Sequence, residues 1–334
     1  MSAVAEDTAN SIYASVARRW QRNDPLLPVP VLPPPGCGAS FVATGADGQP
    51  AAVATCKHFT SEDGSLDTAW GTARRFNLAT AVAGPDVRGA LDQLLAQWRE
   101  HLAETPGTGD DDSSAIVNWP SRDIDGVAAL VRRGFSPMAA VAARVTVRHP
   151  GGPAGRPAPD GGPGSGAAAR PGMTIRRAGP PDAETVARLG LEVVRFDAHF
   201  GNGSERPGTL DGLRKEAAGL LAGPEPWTWL AERDGEPAGL VAAQRPEAAS
   251  WIAPLVRPGP PAYLMLGFVG PGARGGGVGA GLVARLHRDI DAAGVPVTLL
   301  HYQLLNPLSA PFWSQQGYRP LWASWEARPA RALR

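Results

Sequence analysis

The sequence predicts a mixed α/β (α+β) chain in two halves, each a mostly antiparallel twisted sheet with helices on both faces. Three observations predict it. Strand-like and helix-like runs alternate, with one strand–loop–helix–strand crossover near the C-terminus. A strand–helix–turn–strand unit occurs twice. Between the two copies, His149–Gly172 is rich in Gly, Pro and Ala and has no apolar period. It reads as a flexible linker in preference to a long surface loop, since structureless loops of that length are uncommon inside a compact domain. The halves are therefore 1–147 and 173–334, joined by a linker at 148–172.

In the C-terminal half, Thr174–Ala178 reads as a short strand. Asp182 is placed to cap a helix to about Phe196, with Val186, Leu189 and Val193 on one face. A second helix spans Thr209–Leu221. Trp227–Arg233 and Ala238–Gln244 form a hairpin around Asp234-Gly235, a pair that tolerates the left-handed turn. The apolar run Tyr263–Val269 is a strand, and Ala280–Ala293 is an amphipathic helix stopped by Gly294 and Pro296. Val297–Tyr302 is a strand. Asn306-Pro307 opens a short helix through Gln316, and Leu321–Ala327 closes the chain's strands.

The repeat matches Arg132-Arg133-Gly134-Phe135-Ser136-Pro137-Met138 to Gln315-Gln316-Gly317-Tyr318-Arg319-Pro320-Leu321. Each copy follows a strand-like run (Ala115–Trp119; Val297–Tyr302) and a short helix. Each precedes an apolar strand ending near an arginine, Arg144 or Arg328. The shared context favours a duplicated domain over a chance turn.

Composition narrows the functional classes. The 334 residues are 43% hydrophobic and 19% charged with a net charge of zero, which argues against nucleic-acid binding by bulk electrostatics. Lys57 and Lys215 are the only lysines, and Cys37 and Cys56 the only cysteines. Two cysteines build neither a metal site nor a disulfide framework, so the expectation is a cytoplasmic protein without metal. No stretch suits a membrane span, and Met1–Asn10 lacks a signal-peptide core.

The run Arg274-Gly275-Gly276-Gly277-Val278-Gly279 lies between the strand Tyr263–Val269 and the helix from Ala280. A glycine turn into a helix aims backbone N–H groups and the positive end of the helix dipole at one point, a place for phosphate. A P-loop requires Lys-Ser/Thr after the glycines, but Val278-Gly279-Ala280 follows here. A dinucleotide fingerprint requires an acidic residue at the end of the next strand, and that strand ends in His301-Tyr302-Gln303.

Val269-x-Pro271-x-x-Arg274-x-x-Gly277-x-Gly279 resembles the acyl-CoA pyrophosphate loop of the GNAT acyltransferase superfamily. Asn306-Pro307-x-x-Ala310-x-Phe312-Trp313-x-x-x-Gly317-Tyr318 resembles that superfamily's second signature. The resemblance covers about Met173–Arg328. It implies two GNAT-like domains and acetyl-CoA, or another acyl-CoA, as co-substrate. The implied reaction is direct transfer to the amine of a small molecule or peptide, in a monomer or homodimer. A non-catalytic acyl-CoA sensor on the same fold is the alternative. The resemblance implies that Gly275, Gly276, Gly277, Val278 and Gly279 cradle the pyrophosphate, with Arg274 adding charge or shaping the loop. Phe268 and Val269 would offer main-chain groups to the pantetheine arm. Asn306 would bond that arm or cap the helix.

Many members of the superfamily carry a tyrosine acid where this chain has Trp313. His301 and Tyr302, on the strand that splays from its neighbour, are the candidates for proton transfer. Their competing reading is a satisfied histidine and a packed aromatic. Asp197, His199 and Glu205 sit near the acceptor side or in a solvated loop. Trp227, Trp229 and Trp251 line an acceptor pocket or belong to the core.

The first half lacks an R-x-x-G-x-G core between Cys56 and Glu104 and reads as a degenerate copy. There, Gly71–Phe76 precedes the helix Val87–Ala103, which has Leu91, Leu94, Leu95 and Trp98 on one face. Pro25–Pro35 reads as a rigid connector.

Overall fold

The computed structural model describes residues 3–31, 33–34, 36–62, 64–146 and 172–334. The linker expected at 148–172 lies outside the described residues except for Gly172. The first half runs α1 (Ala3–Asn23), β1 (Ala39–Thr44), β2 (Pro50–Thr60), β3 (Arg74–Val82), α2 (Val87–Glu104), β4 (Ser113–Pro120), α3 (Val127–Arg132) and β5 (Ser136–Val145). The second runs β6 (Met173–Arg177), α4 (Ala183–Ala198), α5 (Thr209–Leu220), β7 (Thr228–Arg233), β8 (Glu236–Gln244), β9 (Ala262–Val269), α6 (Val278–Ala292), β10 (Val297–Gln303), α7 (Ser309–Gln315) and β11 (Arg319–Ala327).

All eleven strands form one sheet, in the order β1-β2-β3-β4-β11-β5-β10-β9-β8-β7-β6. The final strands of the two halves have exchanged places. β11 pairs antiparallel with β4, Trp325 opposite Val117, while β5 pairs antiparallel with β10, Val141 opposite His301. The two exchanged strands pair with each other at the centre. An arginine in each makes a cross-half tie. Arg144 forms a two-pronged ion pair with Asp291 on α6, at 2.9 and 2.8 Å. Arg319 and Asp24 join β11 to the end of α1. The sheets expected of the separate halves are thus joined into one, because each half's sheet is completed by a strand that the other half supplies.

Local rules explain most elements. Asp234 (φ 51°) and Gly235 (φ 87°) make the hairpin turn between β7 and β8. The repeated turn is the same helix stop twice. Gly134 and Gly317 are left-handed at φ 88° and 85°. In both copies the next residue's N–H reaches back five residues, Phe135 to Leu130 and Tyr318 to Trp313. Asp182 stands at the start of α4, but its carboxylate does not cap the helix; it accepts from the Gly179 N–H and pairs with Arg176. Gly71–Phe76 leads into β3, and the turn before α2 is Ala83–Asp86. The connector's Leu26 and Leu27 are buried under α1, where the Leu26 carbonyl accepts from the Arg257 N–H at 2.7 Å.

The apolar face of α2 is Leu91, Leu94, Leu95 and Trp98, all fully buried against β1–β4. Each such side chain stabilises the fold by about 1.5–3 kcal/mol. On the second half, α6 covers one sheet face with Leu282, Val283, Leu286 and Ile290. The opposite face is covered by α4 and α5 through Val186, Val194, Leu213 and Ala217. No described helix is long and apolar enough to cross a membrane.

Candidate functional site

β9 and β10 run parallel but pair only at Ala262–Leu264 against Thr298–Leu300. Beyond that point β9 stays with β8 and β10 stays with β5, so the two strands part. A bulge marks the place: Leu266 and Leu264 oppose the consecutive residues Ala242 and Ala243, leaving Met265 unpaired on β8. The bulge flips the following side chains. Leu264 packs with α6, whereas Leu266 packs with α4 and α5.

The glycine loop sits at the end of β9. Gly275 (φ 73°) and Gly277 (φ 76°) are left-handed, a conformation costly for any residue with a Cβ. Gly277 begins α6 without a side-chain cap, so the first-turn N–H groups are presented free of any capping side chain. Gly279 serves a different purpose as well: a Cβ there would meet the Phe312 ring at 3.2 Å, so glycine lets α7 close on α6. Arg274 shapes the loop. Its Nε donates to the Val269 carbonyl at 2.9 Å, and its guanidinium lies 4.8 Å from the Phe196 ring centroid. The Val269 carbonyl is therefore taken by this bond. Phe268 pairs with Leu240 on β8 and lines the same cavity. Asn306 is buried and its Oδ1 accepts from the Leu308 N–H at 3.0 Å, closing the turn that leads into α7; it also lines the cavity.

A cavity of about 1080 Å³ joins the loop to the gap between β9 and β10 and to the α4/α5 face of the sheet. His301 and Tyr302, adjacent on a strand, point to opposite faces. Tyr302 belongs to the cluster under α6 and α7 with Trp313. Trp313 lies against β9 there, since a Cβ on Gly267 would lie 3.2 Å from its ring. Burial raises the Tyr302 phenol above its ordinary value, so it keeps its proton. His301 faces the other side. Its Nδ1 is 3.0 Å from the Tyr263 hydroxyl, and its ring stacks on Trp251 at 6.3 Å and 9°. Cavity solvent reaches the ring, yet the enclosing protein lowers the imidazole to about 4, which keeps it neutral near pH 7.

The other candidates separate. Asp197, on the last turn of α4, lines the cavity, and burial raises its carboxyl to about 6. His199 is exposed and Glu205 pairs with Arg195 at 2.7 Å, both away from the cavity. Of the three tryptophans, only Trp251 lines the cavity; Trp227 is core and Trp229 donates to Asp289 at 2.9 Å. Sequence reasoning missed Asp67, Trp70 and Arg75 of the first half and Glu216 and Tyr263 of the second, all on the cavity wall. None sits in a motif, and the packing of α5 on the 3-10 turn Leu66–Ala69 brings several of them in. Among the described residues no group of three His, Cys, Asp or Glu is placed to hold a metal.

No protein-family model matches the chain, and no curated protein does. Solved structures do. A GCN5-related N-acetyltransferase from Sphaerobacter thermophilus superposes with a TM-score of 0.50 at 16% identity, covering 87% of this chain and 81% of that one. Lower TM-scores are found for a GCN5-related N-acetyltransferase from Kribbella flavida (0.42, 14% identity, 97% and 98% covered). The same holds for a tandem GNAT protein from the clavulanic acid biosynthesis pathway (0.40, 15%, 94% and 88%). The Sphaerobacter likeness shows that this chain has the GCN5-related N-acetyltransferase fold.

Proposed function

We propose that the protein is an acyl-CoA-dependent N-acyltransferase. In the simplest form it moves acetyl from acetyl-CoA to a primary amine of a small molecule or peptide. The observation that carries this reading is one continuous cavity. It begins at an uncapped glycine loop and helix N-terminus, passes the gap between β9 and β10, and ends in a polar and aromatic chamber. The left-handed Gly275 and Gly277 and the free N–H groups of the first turn of α6 suit a pyrophosphate. The bound donor would supply a thioester carbonyl open to attack.

The residues on the two sides of the gap then take distinct roles. An amine attacks only when neutral, and His301, itself neutral, receives its proton on the acceptor side. Tyr263, fixed 3.0 Å from Nδ1, orients the imidazole. Tyr302, protonated and on the side of the sheet with α6 and α7, donates a proton to the departing thiolate in place of the tyrosine that Trp313 replaces. The first half contributes chamber walls and holds no second donor site.

The test is calorimetry of the full chain with acetyl-CoA, followed by thiol release across amines, amino acids, aminoglycosides and peptides. One binding site and thiol release with some amine are expected. Absence of acetyl-CoA binding overturns the reading; binding without thiol release from any amine favours a sensor.

A further inference from the structure

We propose that the acceptor is an amine bearing a second positive charge, which Glu216 and Asp67 hold while the reacting amine lies at His301. This rests on the transferase reading above and names its substrate class.

Glu216, on α5, faces the cavity and makes no ion pair or hydrogen bond among the described residues. A half-buried carboxylate without a partner is costly to keep and readily satisfied by a cation. Asp67 comes from the first half, on the 3-10 turn against which α5 packs, and lines the same space; burial first and the Asp67 charge second push the Glu216 carboxyl up. The only cation meeting Asp67 among the described residues is Arg75. It stands at 3.7 Å, and its Nη2 donates to Ser61 Oγ at 2.8 Å. Two carboxylates therefore share a chamber in which, among the described residues, Glu216 has no protein cation and Asp67, at the open rim, has only Arg75.

The remaining walls are aromatic. Trp251 is 56% exposed, held by a bond from its Nε1 to Gln244 Oε1 at 3.0 Å, and it packs edge-on against Tyr263 at 4.9 Å. Trp70 lines the same chamber. Carboxylates beside accessible aromatic faces form a setting for an organic cation. Glu216 lines the same cavity as Tyr263, whose hydroxyl is 3.0 Å from His301, so the carboxylate and the reaction point open onto one space. The attacking amine must shed its charge to react and so does not neutralise these carboxylates; a second ammonium or guanidinium group does. A monoamine leaves the pair uncompensated.

Thiol release by the full chain with acetyl-CoA would be compared for cadaverine and pentylamine, which differ by one terminal ammonium. Cadaverine is expected to have the higher kcat/KM by about tenfold or more, mainly through KM. Glu216→Gln should collapse that ratio about tenfold, and Glu216→Gln with Asp67→Asn further. Equal kcat/KM for the two amines, or a ratio untouched by Glu216→Gln, overturns the proposal. Should neither amine release thiol, acetyl-CoA calorimetry and the wider amine panel decide the transferase reading separately. Calorimetry of cadaverine against the protein then decides the inference: binding weakened by Glu216→Gln supports it, and no binding overturns it.

Discussion

The N-termini of α2 and α6 occupy equivalent places in the two halves and have opposite fillings. Each helix crosses between two parallel strands, β3 to β4 and β9 to β10, and each strand pair parts after a few residues. At α6 the start is Gly277, bare of any side-chain cap. At α2 the start is Asp86, whose Oδ1 accepts from the Gly89 N–H at 2.8 Å. A carboxylate there uses a free N–H and brings a negative charge to the position where an anion would bind. The gap between the strands differs as well. In the first half α1 lies across it, reaching Ala81 on β3 through its apolar cluster and Trp119 on β4 through Arg19, whose guanidinium lies 5.8 Å from that ring. In the second half the gap is part of the large cavity. The same crossover opens onto a cavity or is packed over according to what caps the helix and what covers the opening.

The comparison breaks most readily at Gly277. Gly277→Glu puts a Cβ at φ 76° and a charge at the loop, and should weaken acetyl-CoA binding at least ~100-fold by calorimetry. Retained binding in a folded variant would mean that α6 does not hold the donor. Next is Tyr302→Phe, which removes only a hydroxyl on the donor side. It should lower kcat about a hundredfold in thiol release while leaving the KM for acetyl-CoA near that of the parent. An unchanged kcat would move the acid elsewhere.

Asp86→Ala tests the other pole. Loss of the cap should cost about 1 kcal/mol in denaturant unfolding. It should create no second acetyl-CoA site, because α1 still covers the gap; a stoichiometry of two would refute that account.

The smallest effect is acid sensitivity. His287 on α6, in contact with the Tyr318 hydroxyl at 3.0 Å, is lowered by burial from 6.5 to about 3. Above the unfolded value it is neutral in both states. As pH falls below 6.5 the unfolded chain takes up a proton that the folded chain refuses, so stability is lost down to about 3. His301 acts in the same direction down to about 4, whereas Asp197, raised to about 6, acts oppositely as pH rises from 3.8. Melting temperature should therefore fall on acidification through the lower half of the 6.5-to-3 window, with a shallower slope in His287→Phe. A slope equal to the parent's would remove His287 from this account.

Much of the second half was legible from residues close in sequence. The Asp234-Gly235 hairpin, the paired stops at Gly134 and Gly317 and the glycine loop before α6 all depend on backbone freedom over a few residues. The alternation and helical periods that mark the strands and helices are local in the same way. The cavity wall was legible where a motif carries it, at the loop and at Asn306, and illegible where it comes from separate elements.

The sequence by itself determined the elements, their order, the repeated helix stop and the left-handed glycines of the loop, since each follows from the torsions and periods of short segments. Only the tertiary structure decided which strand β5 and β11 would pair with. It also decided that the bulge at Met265 would turn Leu264 and Leu266 to opposite faces, and that Asp67 and Glu216, 149 positions apart, would line one cavity. Those outcomes depend on long-range pairing and burial, in which many residues compete for the same partners, and no local pattern of the chain encodes the winner.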